Sequence, residues 1–197
     1  MKKFPGVFVV LFLCLWPLAA FTMAPQSPQA TASSHPTKYC VLKLAPLRSG
    51  QQTSDVLYSQ CFSTFSASIA AATNGHTHLP ASVKPQNLTQ AMLNAYSARN
   101  TPQTSYVLSV EYWDWHYQGS AWAISGSWPC SQVGGYGMSY VGNTWNDQIS
   151  SAAGYSDCNH VLHWENSNYW GANLDCTPDC YTMGVMNDAT SSIQWHS

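Results

Sequence analysis

Hydrophobic and polar positions change period several times along this chain. Residues 7–20, VFVVLFLCLWPLAA, are apolar almost without a break and follow Met1-Lys2-Lys3, with small residues at Ala19, Ala20 and Ala24. This is the pattern of a secretory signal, too short and wrongly flanked for a membrane span, and residues 1–24 are expected to be removed after Ala20 or Ala24. Leu13 stands before Cys14 where a lipoprotein anchor needs a small residue. Residues 25–37, PQSPQATASSHPT, carry no core pattern and read as a flexible leader. YCVLKLAPL (39–47) and SDVLYSQCF (54–62) are strand-like. Phe65, Ile69 and Ala72 then fall at helical spacing, with Ser63 as a candidate N-cap and Asn74-Gly75 as the stop. Leu88, Met92 and Tyr96 mark one face of a second helix within 88–99. NTPQT (100–104) ends that pattern, and helical spacing does not return. The expected organisation is a small α/β segment over 38–104 and a mainly β domain over 105–197.

The β part contains a repeat. YVLSVEY (106–112) alternates as a strand, Val107, Ser109 and Glu111 against Tyr106, Leu108, Val110 and Tyr112. YWDWHYQG (112–119) has an aromatic, four residues, Tyr117, one residue, Gly119; WENSNYWG (164–171) repeats this with Tyr169 and Gly171. Such a turn folds back tightly, with glycine supplying a positive φ and the two aromatics packing over the hairpin. SAWAIS follows as a second strand, and an Asn-Asp-x-x-Ser-Ser string comes later, as NDQISS (146–151) and NDATSS (187–192). Each string opens a final strand, SSAAGY or SSIQW. Four short strands with one long return make a Greek key, and two keys must pack as a β-sandwich because neither buries its apolar face alone. The first repeat is longer by an inserted glycine-rich loop, GSWPCSQVGGY (126–136).

This pair of paired motifs resembles the βγ-crystallin domain, particularly its microbial calcium-binding members, over about residues 105–197. The resemblance implies two Greek keys and two Ca²⁺ sites lying side by side, each built from both strings. Asn146, Asp147, Gln148 and Ser150 would serve from one string, and Asn187, Asp188, Ala189 and Ser191 from the other. Gln148 and Ala189 would offer carbonyl oxygens, as would the hairpin residues Trp115 and Ser167. Carboxylate, amide, hydroxyl and carbonyl oxygens are the hard donors that Ca²⁺ prefers. An isolated Asn-Asp or Ser-Ser pair also makes turns and caps without any metal.

Composition narrows the rest. Charged residues are 8% of the chain and the net charge is −2, so no basic stripe supports nucleic-acid binding. Of seven cysteines, Cys14 lies in the expected signal segment. The other six read as disulfides in an exported protein, and locality favours Cys40–Cys61, Cys130–Cys158 and Cys176–Cys180. A zinc reading of CTPDC would require His160 and His163 as further ligands. HTH (76–78) is another candidate for a transition metal. Glu111 and Glu165 could act as a glycosidase pair only at a defined separation. No nucleophile elbow or glycine-framed serine is present, and no enzyme is expected. Nine tryptophans exceed the needs of a small core, and Trp113, Trp115, Trp122, Trp128 and Trp170 cannot all be buried. The expected protein is a secreted monomer that binds calcium to stabilise an extracellular module. Two other functions remain open: a proteinase inhibitor of the same fold, using loop 126–136 against an extracellular protease, and a carbohydrate or cell-surface binder using exposed tryptophans.

Overall fold

The computed structural model describes residues 36–197; the expected signal peptide and nearly all of the leader lie outside the described residues. Two α-helices and ten strands follow. They are β1 (Tyr39–Leu44), β2 (Val56–Phe62), α1 (Phe65–Ala72), α2 (Gln90–Ala95), β3 (Tyr106–Asp114), β4 (Gln118–Gly126), β5 (Tyr136–Met138), β6 (Ser151–Gly154), β7 (His160–Asn166), β8 (Trp170–Cys176), β9 (Asp179–Cys180) and β10 (Ser192–His196).

The strands form two sheets, ordered β2-β1-β4-β3-β6-β9 and β5-β10-β7-β8. Strands β3 to β6 are the first Greek key and β7 to β10 the second. Each key gives its third strand to the sheet of the other: β5 pairs with β10, and β9 pairs with β6. The result is a βγ-crystallin-like β-sandwich. Its core holds Leu108, Trp122, Ile124, Trp145, Ile149, Val161, Ile193 and Trp195.

Residues 38–104 are built into the same compact unit as 105–197. Strand β1 runs parallel to β4 from Tyr39↔Ala121 to Leu44↔Gly126, and β2 continues the sheet at its edge. Alternation along β1 sends Cys40, Leu42 and Leu44 into the sandwich core. Val41 points the other way, into a second core with Phe65, Ile69 and Ala72 of α1 and Val107, Val110 and Tyr112 of β3. The composition change near 104 therefore does not mark a break in packing. It marks the passage from a sheet extension plus covering helices to the Greek keys.

Several local expectations change. Thr64, not Ser63, caps α1, accepting from Ala67 N at 3.2 Å. Helix α2 is six residues long and buries Leu93, while Tyr96 is its exposed C-cap. Just beyond that helix an isolated antiparallel bridge joins Ser97 to Thr77. A bulge in β3 between Val107 and Ser109 breaks the simple alternation. After it, Ser109 and Glu111 are fully buried polar positions.

Those two residues anchor a polar chain across the sandwich. Trp195 Nε1 donates to Ser109 Oγ at 2.8 Å, and Ser109 Oγ donates to Glu111 Oε1 at 2.5 Å. Glu111 Oε2 lies 2.9 Å from Nε2 of the equally buried His163. His163 Nδ1 is 3.1 Å from the Val161 carbonyl, which can only accept, so Nδ1 carries a hydrogen. Glu111 and His163 are 52 residues apart, the offset of the hairpin repeat, so equivalent positions of the two keys meet. Every polar atom of the pair has a partner, as burial in an apolar core requires.

Three disulfides are present: Cys40–Cys61, Cys130–Cys158 and Cys176–Cys180. The first joins directly opposed residues of β1 and β2. The zinc reading of CTPDC is thereby corrected, because both thiols are consumed in a bond to each other. The bridges span 28 residues for Cys130–Cys158 and 4 for Cys176–Cys180. In the chain-entropy model these are worth about 3.6 and about 2 kcal/mol. Paired Cys→Ser variants followed by denaturant titration should rank the losses in that order, and the reverse order would show that native strain dominates.

Candidate metal centre

The two hairpins fold alike for identifiable reasons. His116, Tyr117 and Gly119 have positive φ in the first, and Asn168, Tyr169 and Gly171 in the second. A Cβ at Gly119 would strike the Asp114 carboxylate, and one at Gly171 the Asn166 amide. The last serine of each string then staples its own hairpin. Ser151 Oγ donates to Asp114 O at 2.7 Å and accepts from Tyr117 N at 2.9 Å. Ser192 Oγ donates to Asn166 O at 2.6 Å and accepts from Tyr169 N at 3.0 Å. Burial pushes the Tyr117 hydroxyl up to about 12, with Asp179 and Tyr181 adding to the shift.

The tip of each hairpin docks on the other key. His116 N donates to Tyr181 O at 3.0 Å, just ahead of the second string, and Asn168 N donates to Ser139 O at 2.8 Å, ahead of the first. Trp115 accordingly reaches the second string, where its indole N–H donates to Asn187 Oδ1. Ser167 holds the equivalent, exposed place in the second hairpin.

The strings themselves lie side by side. Asp147 N donates to Thr190 O and Asp188 N to Ile149 O, each at 3.1 Å. Both strings show the same burial from Asn to the last Ser: half-buried, exposed, half-buried, then three buried positions. Asp147 and Asp188 share a positive φ. Asn146 Nδ2 donates to Asp147 Oδ2 at 2.6 Å, and Asn187 Nδ2 to Asp188 Oδ2 at 2.8 Å. Across the strings, Ser150 Oγ donates to Asp188 Oδ1 at 2.7 Å. The equivalent bond from Ser191 to Asp147 is not formed, and Gln148 Nε2 instead turns back to Asp147 O at 2.6 Å.

This is an oxygen-lined surface with one exposed carboxylate per string, one nearly buried hydroxyl beside each, and backbone carbonyls between. The donor chemistry fits a hard cation such as Ca²⁺. Among the described residues, no group of three or more His, Cys, Asp or Glu side chains converges to hold a metal ion. Amide, hydroxyl and carbonyl oxygens, on which this surface depends, fall outside that description.

The other candidates separate. His76 is buried beside Thr101 and His78 is exposed, so HTH does not present two imidazoles together. Glu111 is committed to His163, while Glu165 is exposed and accepts from Ala172 N at 3.1 Å. Loop 126–136 is tethered: Pro129 and Cys130 are buried, Tyr136 Oη bonds both backbone groups of Trp128, and Ser131 Oγ donates to Asp157 at 2.6 Å. Of the five tryptophans in question, Trp122 is buried and Trp113 half-buried. Trp115, Trp128 and Trp170 are 55%, 51% and 75% exposed.

With the geometry in hand, the chain can be set beside the solved structures to which it is similar. One is a βγ-crystallin from an archaeon, 17% identical, covering 45% of this chain and 96% of that one, TM-score 0.34. Another is a mutant βγ-crystallin domain from Clostridium beijerinckii, 24% identical, covering 45% and 97%, TM-score 0.35. A third is Protein S complexed with calcium, 21% identical, covering 48% and 50%, TM-score 0.34. These likenesses concern fold and leave more than half of the chain uncovered. No family model matches the chain, and no curated protein does.

The staples and the strings make separable predictions. Ser151→Ala or Ser192→Ala removes a buried hydroxyl that satisfies two backbone groups. Each should lower stability by about 1–3 kcal/mol, the cost of leaving buried partners unpaired, equally in calcium and in chelator. A loss that appears only in calcium would make these serines part of the ion site instead.

Proposed function

We propose that this chain is a secreted, calcium-binding βγ-crystallin-like protein in which Ca²⁺ stabilises a disulfide-bonded extracellular module. The observation that carries the reading is the cross-string bond from Ser150 Oγ to Asp188 Oδ1, 2.7 Å long. It brings a hydroxyl of one string to the carboxylate of the other, the juxtaposition that shared sites require. Asn146, Asp147, Gln148 and Ser150 of one string and Asn187, Asp188, Ala189 and Ser191 of the other would build both sites together, with the hairpin residues Trp115 and Ser167 offering carbonyl oxygens. Calcium, when bound, would supply the positive charge that the clustered oxygens lack. Export is supported by the three disulfides and by the leader composition.

With one carboxylate per string, Kd should fall roughly between 10⁻⁶ and 10⁻³ M. An ion that binds only the folded state adds about 2.7 kcal/mol per site at a hundredfold excess over Kd. Calorimetry should show two Ca²⁺ per chain and a melting temperature that rises with millimolar calcium. No heat together with an unchanged melting temperature sinks the reading.

Three exposed tryptophans favour a carbohydrate or cell-surface partner as a second role. The tethered loop 126–136, with Pro129 and Cys130 buried, gives the proteinase-inhibitor reading less support. A glycan-binding screen and an inhibition assay separate the two.

A further inference from the structure

On the outer face of the four-stranded sheet, two neighbouring strands place histidines at opposed positions. The antiparallel register of β7 and β10 sets His160 directly opposite His196. Directly opposed residues share a face, with Cβ atoms ~4.5–5.5 Å apart. Two imidazoles at that separation can reach one ion at metal–nitrogen distances of ~2.0–2.1 Å. We propose that His160 and His196 form a binding site for a borderline divalent transition ion of the Zn²⁺ class, with Asp175 as its positioning residue.

The surroundings hold both rings in place. Asp175 Oδ2, on β8, lies 2.7 Å from His160 Nδ1. A carboxylate can only accept, so Nδ1 carries the hydrogen and Nε2 is left as the metal-facing atom. A carboxylate behind a ligating histidine fixes its tautomer and raises its basicity. His196 is half-buried. Its ring occupies the space where Gly135 has no side chain, and a Cβ there would lie 2.8 Å from Nδ1. Inward-facing neighbours Val161 and Trp195 are fully buried, so the strands carrying the pair are anchored in the core.

Imidazole selects Zn²⁺, Cu²⁺ or Ni²⁺ over Ca²⁺, which makes this site chemically distinct from the oxygen strings. Two imidazoles are fewer than the usual three or four protein ligands. Water completes the shell, and the ion is exchangeable. His160 and Asp175 side chains are 47% and 36% exposed, which leaves the approach open.

Zinc titration calorimetry on the full chain at neutral pH, with the oxygen sites kept in excess Ca²⁺, tests this. One Zn²⁺ per chain is expected. His160→Ala and His196→Ala should each abolish that binding, and Asp175→Asn should weaken it about 10–100-fold. Asp147→Asn and Asp188→Asn should leave it unchanged, so failure of the calcium reading and failure of this one are told apart. Melting curves of the histidine variants without zinc confirm that they are folded. Zinc binding that survives in a folded variant carrying both His160→Ala and His196→Ala, or no binding by the wild type at millimolar zinc, overturns the proposal.

Discussion

The structure depends on an exchange of strands. Each Greek key has one apolar face and too few strands to cover it, and each lends its third strand to the partner's sheet. Hydrophobic burial enforces this, since the shared core holds Trp145 and Ile149 from the first key beside Met186 and Ile193 from the second. The exchange also fixes the polar interior. Equivalent positions of the two keys meet as Glu111 and His163, and the pair is tied to Ser109 and Trp195 so that no group is stranded.

The candidate calcium surface follows from the same exchange. A lent strand must cross from one sheet to the other, and its connection to the final strand passes over the end of the sandwich. Both connections do so, and the two strings run side by side there, joined at Asp147–Thr190 and Asp188–Ile149. The buried half of each string is structural: Ser151 and Ser192 hold the hairpins closed. The exposed half is free to present oxygen, with the Asp147 and Asp188 backbones turned into the left-handed region. One motif thus contains a fastening and a candidate ligand set in consecutive residues.

Much of this was legible in the sequence because the repeat is written in residue types with narrow physical roles. Aromatic, tyrosine and glycine at fixed spacing specify the hairpin, and Asn-Asp-x-x-Ser-Ser specifies the crossing. Disulfide pairing was legible because the partners are close in sequence. The role of 38–104 was not. An uncharged stretch such as YCVLKL reads as a strand, but nothing in it says that it will join β4 in parallel. The bulge in β3 hid the destination of Glu111, since strict alternation cannot register an inserted residue. Glu111 and His163 could have been matched by the 52-residue offset, had the hairpin repeat been extended backwards into the strands. The stapling role of Ser151 and Ser192 was equally available from that offset, because Asp114 and Asn166 occupy equivalent places.

The central claim is that two strings from different keys act as one ion-binding surface. An amide chemical-shift titration of isotope-labelled protein with Ca²⁺ tests it most directly. The account predicts that Asp147, Gln148 and Ser150 shift together with Asp188, Ala189 and Ser191, that Trp115 and Ser167 move with them, and that the interior around Glu111 and His163 stays still. Shifts confined to one string, or none in either at millimolar calcium, would contradict it.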